Sequence, residues 1–204
     1  MLYSIPSVNF VIVMNFLAHI YLSGNDNELM IGNFIADFIK GQKKEDFPPQ
    51  IKKGIELHRA IDDFTDHHSV TSESKKRLYP NHHKYSGVVV DLYYDHFLAK
   101  NFSFYSTISL EEFTFLTYKK LLLNKALLPP RVLEFLPFMI ERNWLFNYAT
   151  IEGIGRTLTG LGKRVSFENR MNEATIDLER HYSAFEEEFS IFFPQLINFA
   201  ASKR

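Results

Sequence analysis

The stretch FPPQIKKGIELHRAIDDFTD, residues 47–66, decides the fold class of this chain. Its Pro-Pro pair is typical of the first turn of a helix, and the apolar residues that follow recur every three or four positions. This pattern predicts an amphipathic helix. His58 and Asp62, however, fall in the middle of its apolar arc, on adjacent turns. Because a buried carboxylate is costly unless it is paired or metal-bound, this pair is either a tie between helices or part of a functional site.

The helical period continues along the rest of the chain. Strand-like alternation is scarce, and no Asn-Gly or Asp-Gly hairpin signal occurs. Further helices are predicted over about residues 15–22, 27–40, 72–78, 85–100, 109–128, 144–160 and 168–193. Without a repeat, a low-complexity linker or a shift of composition, we expect one all-α, multi-helix domain. This domain is expected to span 14–204, and residues 1–13 to be an upstream extension that is either non-native or disordered.

Composition excludes several classes of function. The 204 residues include 23 Lys and Arg against 24 Asp and Glu, a balance that argues against a bulk nucleic-acid binder. There is no Cys, which excludes disulfides, Cys-zinc sites and Cys nucleophiles and fits a reducing compartment. No window approaches the roughly 18 uninterrupted apolar residues of a membrane span. We therefore expect a cytoplasmic protein whose partners are neither nucleic acids nor membranes.

The predicted helix YSGVVVDLYYDHFLAK, residues 85–100, is apolar or aromatic on nearly every face, which indicates a central position. Asp91 and Asp95 lie four residues apart on it, so their charges would repel, and burial would strengthen the repulsion. His96 follows directly. Either a cation lies between the carboxylates, or one Asp is protonated or paired with an Arg. Because two predicted helices carry carboxylates and imidazoles on apolar faces, a metal site is favoured. Imidazole together with carboxylate suits Mn²⁺, Mg²⁺, Fe²⁺ or Zn²⁺.

Such a site activates water and polarises a phosphoryl oxygen, which makes phosphoester hydrolysis the natural reaction class. Two further candidates are weaker: Asp37 shares a helical strip with Asn33, and His19 lies four residues after Asn15. Either side chain could simply face water. Cations cluster near these helices and would attract an acidic partner, unless they form ordinary solvated faces. They are Lys40, Lys43, Lys44, Lys52, Lys53, Arg59, Lys75, Lys76 and Arg77.

Four stretches, in this order, resemble the bacterial acyl carrier protein phosphodiesterase family, whose members are also called acyl carrier protein hydrolases. They are MNFLAHIYLSG (14–24), GNFIADFIKG (32–41), residues 47–66 and VVVDLYYDHFLAK (88–100). The resemblance implies an all-α single-domain bundle distantly related to the HD-type metal phosphohydrolases. It also implies a divalent metal, with Mn²⁺ preferred. The implied reaction removes 4′-phosphopantetheine from the serine of holo acyl carrier protein, a carrier of fatty acid biosynthesis.

Carried across position by position, and combined with the polar residues on apolar helix faces, the resemblance assigns three groups of residues. The metal ligands are Asp37, His58, Asp62 and Asp91. The catalytic acid and base come from Asp37, Asp95 and His96. The substrate-binding residues are Arg59, Lys40 and His19. The adjacent His-Asp dyad of the HD superfamily is absent, since the neighbouring pair here has the reverse order, Asp then His.

Two other functions stay open on the sequence. The first is a metal-dependent phosphohydrolase of a nucleotide or another small phosphoester, which would use the same metal chemistry. The second is a non-catalytic helical binding protein, in which the buried His and Asp residues only hold helices together.

Overall fold

Helices make up nearly all the regular structure of the computed structural model, which describes residues 15–39 and 45–204. These residues contain no strand, so the predicted all-α class is confirmed. The proposed extension 1–13 lies outside the described residues. The α-helices are α1 Phe16–Leu22, α2 Asn27–Ile35, α3 Pro49–His67, α4 Ser69–His82, α5 Ser86–Lys100, α6 Leu110–Leu123, α7 Pro130–Glu141, α8 Trp144–Asn147, α9 Ile151–Gly162, α10 Ala174–Arg180 and α11 Tyr182–Lys203. Short 3₁₀ helices are Ala36–Phe38, His83–Tyr85, Phe102–Phe104, Lys125–Leu127 and Met171–Glu173.

Two of the predicted helices are divided in the structure. The helix expected over 144–160 is α8 and α9, because Thr150 has extended backbone and its hydroxyl accepts the N–H of Gly153, which caps α9. The helix expected over 168–193 is a 3₁₀ turn, α10 and α11. Moreover, α11 continues through Pro194 to its last turn. A proline inside a helix costs about 3 kcal/mol, and burial of the phenylalanines around it outweighs that cost.

The centre of the fold is α5, which packs against α1, α4, α9 and α11. Its apolar side chains belong to one hydrophobic core shared by the described helices. Because α5 is enclosed on most sides, its polar residues Asp95 and His96 are also buried, with 0% and 1% of their surface exposed. Among the described residues, no helix has both the length and the apolarity that crossing a bilayer requires.

Helices α2 and α3 approach each other closely at two glycines. A Cβ atom on Gly32 would lie 2.1 Å from the carbonyl oxygen of Ile51, and one on Gly54 would lie 2.2 Å from that of Leu29. Neither position can therefore carry a side chain without moving a backbone. This contact places the residue after Gly32, which is Asn33, beside the next turn of α3, where His58 lies.

The substitution Gly54→Ala is expected to lower the free energy of unfolding by about 2–3 kcal/mol, because the added methyl group overlaps a carbonyl of α2. Gly160→Ala is the matched control, since Gly160 is also helical but no described atom, other than its chain neighbours and its own helix backbone, lies within 4 Å of its Cβ position. The control should be neutral or stabilising by up to about 1 kcal/mol. Urea unfolding followed by far-UV circular dichroism measures both, and equal losses would contradict the close approach.

Candidate metal centre

The amide of Asn33 on α2 holds two imidazoles side by side. Its Oδ1 lies 2.8 Å from Nδ1 of His19 on α1 and 3.1 Å from Nδ1 of His58 on α3. Its Nδ2 donates to the carbonyl oxygen of His19 and to Oγ of Ser23, which fixes the orientation of the amide. Since Oδ1 can only accept, both imidazoles carry a hydrogen on Nδ1. Each therefore directs Nε2 away from the amide.

Both Nε2 atoms face carboxylates. Nε2 of His58 lies 3.0 Å from Asp37 Oδ2 and 3.2 Å from Asp62 Oδ2. Nε2 of His19 lies 3.2 Å from Asp62 Oδ1, without the geometry of a hydrogen bond. This atom is buried and has no hydrogen-bond partner among the described residues. The two rings stack with their centroids 4.0 Å apart.

These carboxylates open into a cavity of about 300 Å³, which we call the acidic pocket. It is lined by Asn15, Asp37, Asp62, Thr65, Asp66, Lys84, Gly87, Val88 and Asp91. Three of the four predicted metal ligands thus line one cavity, and the fourth, His58, contacts two of them.

The charges of this cluster shift several pKa values. Burial lowers the pKa of His58, but the hydrogen bonds and charges of Asp37 and Asp62 outweigh it and raise the pKa to about 10. Burial raises the pKa of Asp62, whereas the two imidazoles have the larger combined effect and hold it below its usual range. Burial and the charges of Asp62, Asp66 and Asp95 raise the pKa of Asp91 well above its usual range. The pocket therefore carries more carboxylates than its own cations neutralise.

A divalent cation fits this set of side chains. His19, His58 and Asp62 each offer a ligand atom, and these atoms all lie within 4.8 Å of one another. Nε2 of His19 is buried without a hydrogen-bond partner among the described residues and faces Asp62, so an ion between them would give this nitrogen a partner. A metal-bound imidazole normally donates its second nitrogen's hydrogen to an oxygen, and Asn33 accepts that hydrogen from both rings. Imidazole and carboxylate without thiolate is a donor set for a divalent ion.

The structure gives the predicted catalytic pair on α5 other contacts. Asp95 accepts the N–H groups of Leu17 at 3.0 Å and Ala18 at 2.8 Å, so its carboxylate caps the start of α1. Burial raises the pKa of Asp95 to about 7, against the lowering effect of these two bonds. His96 has Nδ1 2.8 Å from the carbonyl oxygen of Tyr148 and Nε2 2.8 Å from the hydroxyl of Tyr182. These contacts tie α5 to neighbouring segments.

The structure does not bring the three predicted substrate-binding residues together at one described site. His19 belongs to the candidate metal centre. Arg59 is exposed on α3, one residue after His58. Lys40 lies outside the described residues.

Three residues of the site were not predicted in their structural roles. Asn33 was grouped with Asp37 on a strip that could face water, but it is fully buried. Asp66 extends the four-residue spacing of His58 and Asp62 by one more turn, a signal that the sequence did contain. Lys84 lies at the junction of α4 and α5, where no periodicity could place it.

This fold and site define a class of protein. It is an all-α protein in which a buried pair of imidazoles lies against a pocket of carboxylates. The sequence profile described as acyl carrier protein phosphodiesterase matches residues 14–196. A relative of that name from Escherichia coli is 30% identical over 191 residues, covering 93% of this chain and 99% of the relative. One from Klebsiella pneumoniae is 30% identical over 192 residues, covering 94% and 100%. The chain belongs to the acyl carrier protein phosphodiesterase family.

The family resemblance predicted from the sequence is thereby confirmed. No solved structure gives a significant match to this chain. The expected relation to the HD-type phosphohydrolases stays a prediction.

The substitution Asn33→Leu should weaken Mn²⁺ binding by about 10–100-fold, because it removes the acceptor that orients both imidazoles. Isothermal titration calorimetry with MnCl₂ measures this change. Asn101→Leu is the control, since Asn101 is a partly buried asparagine outside the site and donates to Glu186. Unchanged affinity in Asn33→Leu protein that still unfolds cooperatively would contradict the assigned role of the amide.

The ion-free protein should lose stability in alkaline solution. The pKa of His58 is about 10 in the folded protein and about 6.5 in an unfolded chain. Its contribution is therefore full below about pH 6.5 and lost as the pH rises to about 10. Asp62, whose pKa is lowered, contributes above about pH 4 and loses this contribution in acid.

Urea unfolding in EDTA, measured between about pH 6 and 10, gives the alkaline slope of stability. His58→Gln should flatten this slope relative to the unmodified protein, in which tyrosines and lysines also titrate. Identical slopes for the two proteins would refute the raised pKa.

Proposed function

We propose that this protein is a metal-dependent phosphodiesterase that removes 4′-phosphopantetheine from the serine of holo acyl carrier protein and leaves the apo form. The observation that carries the proposal is the convergence of His19, His58 and Asp62 in a chain that belongs to this family. Relatives that match nearly the whole chain are named acyl carrier protein phosphodiesterase. We place the reaction in the cytoplasm, and the catalytic domain at residues 14–204.

The divalent ion is proposed to be Mn²⁺, with Mg²⁺, Fe²⁺ and Zn²⁺ as alternatives that accept the same nitrogen and oxygen donors. His19, His58 and Asp62 would hold it, and Asp37 and Asp91 are the further carboxylates of the acidic pocket. When bound, such an ion polarises a phosphoryl oxygen and lowers the pKa of water.

Asp37 is proposed as the proton acceptor. Its carboxylate is 24% exposed, lines the acidic pocket and lies 3.0 Å from Nε2 of His58, so it would be next to an ion that His58 holds. As the oxygen of the attacking water bonds to phosphorus, Asp37 takes a proton from this water. It returns that proton to the serine oxygen when the bond between phosphorus and the serine oxygen breaks. Water and the diester thus give phosphopantetheine and a free serine hydroxyl.

Asp95 and His96 are proposed to support the reaction only through the fold. The carboxylate of Asp95 is committed to two backbone N–H groups of α1, the helix that carries His19. Both ring nitrogens of His96 are within hydrogen-bonding distance of oxygen atoms. Neither side chain is therefore available to exchange protons with a substrate phosphate.

The carrier protein is proposed to dock on the exposed basic residues of α3. Arg59 and Lys53 are exposed on α3, the helix that supplies His58 and Asp62. Lys52, on the same helix, is partly exposed and pairs with Glu45. Cations at the rim of a site speed the encounter with an acidic protein, so we expect binding that weakens with added salt.

The test is to incubate the purified protein with holo acyl carrier protein and Mn²⁺ and to follow the carrier's mass. Loss of the prosthetic group is expected. Asp62→Asn should lower kcat at least about 1,000-fold, because it removes a proposed metal ligand. Asp63→Asn is the matched control, since Asp63 is the next residue along α3, is 79% exposed and pairs with His67 rather than with the site.

Three other outcomes would each overturn a different part of the proposal. An unchanged carrier mass, under conditions in which the Escherichia coli relative is active, rejects the substrate. Faster turnover of a nucleotide or another small phosphoester favours the alternative enzyme. If the protein binds no divalent ion and EDTA does not change its stability, the alternative of a non-catalytic helical binding protein is favoured.

A further inference from the structure

A second cavity adjoins the acidic pocket. It has a volume of about 670 Å³ and lies between the junction of α4 with α5 and the segment that precedes α10. We call it the aromatic groove. It is lined by Tyr79, Pro80, Asn81, His82, His83, Lys84, Tyr85, Phe167, Glu168, Asn169 and Arg170. Lys84 lines both cavities, so the groove begins where the acidic pocket ends.

The two cavities differ in chemistry. Four aspartates line the acidic pocket. The groove instead presents exposed aromatic rings, since Tyr79 is 60% and Phe167 is 66% exposed, and it has amide side chains at Asn81 and Asn169. Rings beside amides suit a narrow, mostly uncharged chain that alternates methyl or methylene groups with amide bonds. A volume of about 300–1,000 Å³ is typical of sites that enclose small ligands.

Lys84 is the cation that faces both cavities. Its Nζ lies 3.3 Å from the ring centroid of Phe167 and 5.2 Å from that of Tyr85, and it forms no ion pair with a described residue. Lys75, which is also near the pocket, already donates to the carbonyl and the carboxylate of Asp66. Among the described lysines and arginines that line the two cavities, Lys84 is thus the one without an ion pair, and its ammonium group can meet an incoming anion.

The backbone before Lys84 supports this position. His83 has φ 46° and ψ −123°, a conformation that non-glycine residues rarely adopt. Such backbone strain costs of order 1–3 kcal/mol, and packing in the surrounding fold must offset this free energy. The reversal ends α4 and turns the chain, so that Lys84 lies between the two cavities.

We propose that the aromatic groove binds the pantetheine arm of the substrate while Lys84 binds the phosphate to which the arm is attached. This inference rests on the proposed function. A phosphodiester carries one negative charge, which the aspartates of the acidic pocket repel, so a cation at the mouth is needed beside any bound ion. The arm, which stays on phosphorus while serine leaves, is narrow enough for a groove. The carrier protein is not, so it must approach from the open side of the pocket.

The experiment compares two substrates and three variants of the full chain. The substrates are holo acyl carrier protein and bis(4-nitrophenyl) phosphate, a diester without the arm. Phe167→Ala should raise KM for the carrier about tenfold and KM for the small diester much less, because the small diester lacks the arm and is affected only through the contact between Phe167 and Lys84. Lys84→Ala should lower kcat/KM about tenfold or more for both substrates, because both contain the phosphate. Phe115→Ala, which removes an aromatic ring that is 64% exposed on α6, should change neither.

A Phe167→Ala protein with an unchanged KM, or one that loses activity equally on both substrates, would overturn the assignment of the groove. Urea unfolding of each variant separates these results from loss of the fold.

Calorimetric binding of free 4′-phosphopantetheine and of inorganic phosphate tests the groove without turnover. Tighter binding of phosphopantetheine, lost in Phe167→Ala and kept in Phe115→Ala, supports the inference even if holo carrier protein is not hydrolysed. Equal affinities for the two compounds would show that the arm has no site. Failure of the proposed function alone would instead appear as an intact carrier together with tight phosphopantetheine binding.

Discussion

One amide oxygen determines how the site is built. Oδ1 of Asn33 accepts a hydrogen from both His19 and His58, and this places two imidazoles from different helices in one stack. Without that acceptor, two buried Nδ1–H groups would be unsatisfied, which costs about 1–3 kcal/mol for each. The amide reaches both rings only because α2 and α3 touch through glycines. The site therefore depends on a backbone contact that has no chemistry of its own.

Electrostatics then make the cluster suitable for a cation. His58 Nε2 lies between two carboxylates, and Asp91 is surrounded by the charges of three other aspartates. In the ion-free protein, a proton on His58 and a raised pKa at Asp91 relieve part of this repulsion. The charge of a divalent ion would relieve the same repulsion in place of the bound protons. Metal binding should therefore release protons. The same negative charge is the reason that we propose a phosphate-binding role for Lys84 at the mouth of the pocket.

Spacing along a helix proved a good guide to burial and a weaker guide to partners. The sequence placed His58 and Asp62 inside. His58 is buried, whereas Asp62 lines the acidic pocket with 45% of its side chain exposed, and both lie in one cluster with Asp37. Asp91 and Asp95 were grouped because they lie one turn apart. In the structure, this one turn places them in different surroundings. Asp91 lines the acidic pocket, whereas Asp95 caps the start of α1. Periodicity reports which face a residue is on, whereas its partners come from helices distant in sequence.

The sequence by itself determined the helical class, the burial of His58 on α3 and of Asp95 and His96 on α5, and the family. These follow from local spacing and from motifs that can be read along one chain. It could not show that His19 joins His58, that Asn33 orients both, or that Lys84 connects two cavities. Those facts depend on how α1, α2 and the α4–α5 junction pack around α3. Only the tertiary structure decided them, because contacts between segments far apart in sequence leave no periodic trace in any one segment.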